Sequence, residues 1–119
     1  MIAVIFEVDP AEGQFQTYLD IAASLREELE RADGFISVER FESLTRPGKL
    51  LSLSFWRDEE SVRAWRCHGK HRDAQRAGRD SVFSGYRLRV AGVMRDYGLS
   101  ERAEAPEDSR VAHATPPVI

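Results

Sequence analysis

The opening run Ile2-Ala3-Val4-Ile5-Phe6-Glu7-Val8 is β-branched or aromatic at most positions and is apolar on both of its alternating sets. Ile2, Val4, Phe6 and Val8 form one set, and Ala3 and Ile5 form most of the other. A strand of that kind belongs in the middle of a sheet, covered on both faces. Glu7 is its one exception, and Asp9-Pro10 closes it, because proline has no N–H to give to a ladder.

From Gln14 to Arg31 the apolar residues Phe15, Tyr18, Ala22, Leu25 and Leu29 recur at intervals of three and four, which predicts a helix with one apolar face. Asp33-Gly34 stops it, since glycine reaches the left-handed conformation that ends a helix without steric cost. Phe35 to Leu44 alternates as a strand, with Phe35, Ser37, Glu39 and Phe41 on one face and Ile36 and Val38 on the other. Pro47-Gly48 suits the centre of a type II turn. Leu50 to Trp56 returns as the hairpin partner, with Leu51, Leu53 and Phe55 facing one way and Ser52, Ser54 and Trp56 the other.

Asp58 is placed to cap a second helix through Val62, Trp65 and Cys67, with Glu59 and Glu60 at the positive end of its dipole. Gly69 and Gly78 predict a few turns followed by a looser piece up to Asp80. Val82 to Tyr97 is the last long strand, with Tyr86, Leu88, Val90 and Met94 opposite Arg87, Arg89, Ala91, Val93 and Arg95. Gly92 within it marks a bulge or a close backbone approach. After Gly98 the composition turns to Ser, Glu, Ala, Pro and Asp, the character of a mobile tail over 98–119.

The order strand, helix, strand, strand, helix, strand over 1–97 is that of an α+β ferredoxin-like βαββαβ sandwich, a four-stranded antiparallel sheet with both helices on one face. The other face must meet water or a partner. If it carries Phe6, Phe35, Phe41, Trp56 and Tyr86, so much aromatic surface predicts a symmetric homodimer with the sheets closing on each other.

Composition excludes several classes of partner. The net charge of −3 and pI near 5.6 give no reason for nucleic acid or an anionic membrane as partner. No apolar run approaches the roughly 18 residues of a membrane span, and the N-terminus lacks the basic-then-apolar order of a secretory signal, so a cytoplasmic location is expected. The lone Cys67 makes neither an internal disulfide nor a cysteine-only metal cage. No nucleophile motif, glycine-rich phosphate loop or metal triad marks an enzyme by itself.

The hairpin Gly34-Phe35-Ile36-Ser37-Val38-Glu39-Arg40-Phe41-Glu42, then Ser54-Phe55-Trp56-Arg57-Asp58-Glu59-Glu60, then Ala64-Trp65 and His71, together resemble the antibiotic biosynthesis monooxygenase family. The resemblance covers about Met1 to Tyr97 and implies a dimeric α/β barrel. It further implies a pocket between sheet and helices and oxidation of a planar phenol, quinol or polyketide-like aromatic by dioxygen, with no flavin or metal. In such oxygenases the substrate's own anion passes an electron to dioxygen, while Trp, Tyr, His, Asn and Arg side chains position and deprotonate it. Trp65, His68, Tyr86 and Arg87 are the matching substrate-binding candidates and His71 the catalytic base, since it stands where the family commonly has His. The family's Asn positions are not recognisable, the amide side chains being Gln14, Gln16 and Gln75.

Each candidate also has a plainer reading. His68 and His71, three apart, share a helix face, either as base or axial haem ligand or as two solvated imidazoles; as a metal site the pair is too thin. Trp56 and Trp65 either stack on a planar ligand or are core, and a strand Tyr such as Tyr86 is commonly a packing residue. Arg63, Arg66, Lys70, Arg72, Arg76 and Arg79 make the second helical region basic, either as a solvated face or as an attractor of an anionic substrate. Arg87 and Arg89 can pair across strands with Glu7 or Glu39, which could instead be active-site carboxylates.

The first functional expectation is therefore a cofactor-independent monooxygenase with a small aromatic substrate and dioxygen as partners. The alternatives are a haem-binding or haem-degrading protein and a non-catalytic small-molecule-binding dimer. Haem-degrading relatives carry their ligand His further along the helix after the Trp, at a distance that falls near Gln75, and an Asn in the first strand where Glu7 is the nearest polar residue, both departures from the pattern.

Overall fold

The computed structural model describes residues 1–114; Thr115–Ile119, the end of the segment read as a tail, lie outside the described residues. β1 (Ile2–Pro10) sits between β3 (Leu50–Trp56) and β4 (Phe83–Gly92), with β2 (Phe35–Glu42) beyond β3, so the antiparallel sheet runs β2-β3-β1-β4. The doubly apolar first strand thus takes a central place. α1 (Phe15–Glu30) and α2 (Glu59–Arg66) pack on the sheet face that carries Ile2, Val4, Phe6 and Val8, and α3 (Gly69–Ala77) lies against α1 and α2.

Two apolar clusters hold helices to sheet. At one end Val8, Tyr18, Leu50 and Val82 are buried together with Phe6, Leu19, Ile21 and Phe83 against them; at the other end Leu29, Trp56 and Val62 gather Ile2, Val4, Ala32, Phe35, Val38 and Trp65. Trp56 is 2% exposed and Val8 fully buried. Burial of each such side chain stabilises the fold by about 1.5–3 kcal/mol. Between the clusters, β3 presents Ser52 and Ser54 to the helices, opposite Phe6 and Val4.

The hairpin turn is built as its sequence predicts: Gly48 has φ +86° and Lys49 N–H donates to the Arg46 carbonyl at 3.1 Å. Gly34 is more tightly specified. Its φ of +81° disfavours any side chain, and a Cβ there would overlap Ser61.

Several expectations are corrected. Phe6, Phe35, Trp56 and Tyr86 lie on the helix side and Phe41 on the open side, so they do not form one aromatic face. The cause at Phe35 is a register shift between Phe35 and Ser37, which turns Phe35 towards its partner Trp56 while Ser37 faces the other way with Phe55. β4 ends at Gly92 because its partner β1 begins at Ile2; Val93 N–H makes one further bond to the Met1 carbonyl at 2.9 Å. The β1–β4 register is unbroken at Gly92, and the irregularity lies at Asp9/Pro10 instead. The piece after Gly69 is regular: α3 runs into a single π-helical turn, Gly78–Val82. The segment after Gly98 holds a short helix, α4 (Glu107–Ala112), with Ala105 buried beside it. Among the described residues no helix is long and apolar enough to cross a membrane.

Candidate functional site

α2 begins where Asp58 accepts from Ser61 N–H at 2.8 Å and from Ser61 Oγ at 2.7 Å. Arg57 braces this start against the end of α1. Its guanidinium forms a two-pronged pair with Asp33 at 2.9 and 3.1 Å and also reaches Asp58 at 2.9 Å. Those contacts hold the carboxyls of Asp58 and Asp33 below the usual carboxylate range, so both stay ionised across the neutral range.

α2 ends at Arg66, Cys67 and His68 turn the chain, and α3 starts at Gly69. In one straight helix Trp65 and His71 would stand about 120° apart around the axis. The break brings them together: the His71 imidazole stacks on the Trp65 indole with centroids 4.9 Å apart and planes 17° apart, and His68 stacks at 5.2 Å. Beneath the stack lies Trp56, 6.4 Å from Trp65.

His71 Nδ1 is 3.1 Å from the Trp65 carbonyl. A carbonyl only accepts, so Nδ1 carries the proton and Nε2 keeps its lone pair. Burial pushes the His71 pKa below its ordinary 6.5, opposed by that carbonyl bond and assisted by the charges of His68 and Arg72. At pH 7 the group is a neutral imidazole with Nε2 bare, which is the form a general base needs.

A cleft of about 340 Å³ opens beside the stack, between the end of α1 and α2, lined among others by Glu28, Arg31, Asp33, Ala64, Trp65 and His68. Lys70 pairs with Glu28 across from α3 and holds its carboxyl low. A larger recess of about 430 Å³ lies at the opposite end of the sheet between the hairpin turn and the start of β4. Its wall is polar, with Arg46 paired to Asp9 at 3.5 Å, and it contains no aromatic side chain or histidine. The cleft at Trp65 is therefore the candidate site.

Of the residues singled out from sequence, Trp65, His68 and His71 converge. Tyr86 does not join them: it is paired with Val8, six residues along β1 from the Ile2–Trp56 pair and so roughly 20 Å away. It packs edge-on to Phe6 at 5.6 Å and Phe83 at 6.0 Å. Arg87 lies on the sheet face away from the helices, across from Glu7, and within one chain cannot reach the stack. Glu7 is spent there in an ion pair with Arg89 at 2.8 Å and with Lys49 at 3.8 Å, and Glu39 lies on the same face, away from the stack. Part of the basic stretch is likewise paired, Arg63 with Glu60 at 3.2 Å and Arg76 with Asp73 at 3.4 Å. Sequence reasoning missed Arg57, Asp33 and Ser61, whose signal was the Asp33-Gly34 stop standing near the Trp56-Arg57-Asp58 start, and it missed Glu28, which carries no local signal.

The model of the antibiotic biosynthesis monooxygenase family matches residues 1–77. The chain belongs to that family. The jasmonate monooxygenase ABM of Pyricularia oryzae is 57% identical over 93 residues, 78% of this chain and 43% of that protein, so the chain spans less than half of that curated relative. Among solved structures, a Deinococcus radiodurans protein described as a candidate antibiotic biosynthesis monooxygenase superposes with TM-score 0.74 at 11% identity, covering 83% of this chain and 98% of that one. Rv0793 of Mycobacterium tuberculosis gives 0.73 at 14% identity, covering 82% and 98%. These likenesses establish the antibiotic biosynthesis monooxygenase fold, with its sheet and helices, for this chain.

Proposed function

We propose that this chain is the catalytic domain of a monooxygenase that holds a small organic substrate against Trp65, uses His71 Nε2 to take its acidic proton, and lets the resulting anion reduce dioxygen without a resident flavin or metal. The observation that carries the reading is the neutral, half-buried His71 locked by the Trp65 carbonyl. For a substrate whose CH₂ becomes C=O the balance closes without a further reductant: one oxygen atom enters the product, and the other leaves as water with the two hydrogens. Hydroxylation of a C–H needs two more electrons from a co-reductant. Planar phenols, quinols and polyketide-like aromatics suit the aromatic wall. Jasmonate enters the candidate list through the name of the Pyricularia relative.

The test is oxygen uptake by the full chain with anthrone, hydroquinone, and jasmonate plus ascorbate. Substrate-dependent uptake lost in His71→Ala supports the reading, and uptake unchanged in that variant removes His71 from the mechanism.

We further propose a homodimer through the open sheet face. Leu51, Leu53, Phe55, Ile5 and Phe41 share that face, with Glu39 towards the β2 edge and Arg87 and Arg89 on the β4 edge. An apolar centre flanked by opposite charges is self-complementary under a two-fold axis.

A further inference from the structure

On the helix side of the sheet, β2 presents Arg40 towards α1, where its Nε donates to Tyr18 Oη at 3.4 Å and its guanidinium lies 6.0 Å from the Tyr18 ring. Arg40 is half-buried, Tyr18 is 6% exposed, and among the described residues no carboxylate lies within 4 Å of Arg40. Glu42, two residues along the same face, accepts instead from Gly48 N–H at 3.1 Å. A guanidinium has donors only, so Tyr18 Oη is the acceptor in that contact and its own O–H proton finds no acceptor among the described residues.

The terminal nitrogens of Arg40 are equally without one. Among the described residues no buried side-chain nitrogen or oxygen is left without a hydrogen-bond partner, so these free donors, the Tyr18 O–H and the Arg40 terminal nitrogens, are open to an incoming acceptor. Across the strands from Arg40 stands Ser52, a third donor on the same face, and beyond Ser52 comes Phe6. The row runs cation, hydroxyl, aromatic ring.

We propose that Arg40 and Tyr18, with Ser52 beside them, form a binding site for the carboxylate of an anionic ligand with an apolar body. A guanidinium matches a carboxylate with two parallel N–H···O bonds, the phenol O–H adds a third, and Phe6 offers the apolar floor next to the head. The inference rests on the reading of this chain as a small-molecule enzyme and places the acid head of its substrate beside Ser52, four residues along β3 from Trp56 and so roughly 13 Å from the Trp65 end of the sheet, which makes the substrate class an organic acid with a body long enough to span that distance.

The experiment follows thermal unfolding of the full chain with octanoate or methyl octanoate at equal free concentration, since a ligand that binds only the folded chain raises its Tm. Octanoate raises Tm and the ester does not. In Arg40→Met, which keeps the aliphatic stem, the octanoate affinity drops at least tenfold; Arg40→Lys, which keeps the charge without the fork, retains part of it; Tyr18→Phe weakens it severalfold. Arg66→Met, an exposed arginine on α2, leaves it unchanged. Equal shifts with acid and ester, no shift with octanoate in the wild type, or an undiminished shift in Arg40→Met would overturn the site. Oxygen uptake separates the two readings: uptake that persists in Arg40→Met without carboxylate dependence leaves the oxygenase standing alone, and carboxylate binding with no uptake leaves the anion site standing alone.

Discussion

His71 is bonded to the backbone of the residue on whose side chain it stacks: its Nδ1 is 3.1 Å from the Trp65 carbonyl while its ring lies 4.9 Å from the Trp65 indole. One residue thus fixes both the tautomer and the plane of the imidazole.

Because burial lowers the His71 pKa, the basic form already predominates at pH 6.5 and is lost as pH falls through the depressed folded value. Turnover should be flat from pH 7 to 8 and fall on the acid side below 6.5, measured as kcat/KM against pH. The same group gives a stability signature. The unfolded chain takes up the proton first, so stability falls as pH drops below 6.5 and this loss ceases once pH is below the folded pKa. His71→Gln removes that segment of the stability curve.

Trp65→Phe should keep the stack and most of the turnover, with a higher KM. Trp65→Ala should lower kcat by about 10²-fold, because an unsupported base loses its orientation. Steady-state kinetics on the two variants distinguishes a supporting ring from a passive wall.

Gly34→Ala should destabilise the chain by about 2 kcal/mol or more, from positive φ and from overlap with Ser61. Urea unfolding should show a lower midpoint at unchanged slope. Adding Ser61→Gly removes the overlap and restores part of the loss, leaving the share due to φ.

Asp58→Asn weakens the bond to Arg57 and should lower Tm at pH 7. The Asp58 carboxyl is held far below its ordinary 3.8 by Arg57 first and by Ser61 second. Its contribution is present above that ordinary value and fades as pH falls through the depressed one, so wild type and variant should converge only in strong acid.

Leu53→Arg, at the centre of the open face, should convert a species of twice the 13.5 kDa chain mass into one of single mass by sedimentation. Arg87→Glu should weaken the dimer, and Arg87→Glu with Glu39→Arg should restore part of it. A wild-type chain that sediments at single mass at micromolar concentration removes the proposed interface.

The order of elements was legible because it is written in period and punctuation: two-fold alternation in the strands, three-and-four spacing in α1, and glycines at 34 and 48 that the backbone requires. The register of β2 was not, because a one-residue irregularity after Phe35 leaves no mark in composition and exchanges faces for the residue before it. The grouping of Trp65, His68 and His71 followed from nearness in the chain. Gly69 marked the break after α2, but the stacking did not follow from it, since the angle at which the chain turns through Cys67 and His68 is set by packing. The separation of Tyr86 and Arg87 from the Trp65 stack was equally hidden: a strand alternates its neighbours between opposite sides, and which side meets the helices is settled by tertiary packing.

The two apolar clusters stand at opposite ends of the sheet, with the hydroxyls of Ser52 and Ser54 on the floor between them. Cohesion is concentrated at the ends, and the centre contributes little of it. Amide hydrogens of β3 near Ser52 and Ser54 should then exchange sooner than those at Leu50 and Trp56, and a molecule seated over the serines would slow them. The fold holds its outline from both ends, and the strand between them carries hydroxyls where its ends carry hydrocarbon and an indole.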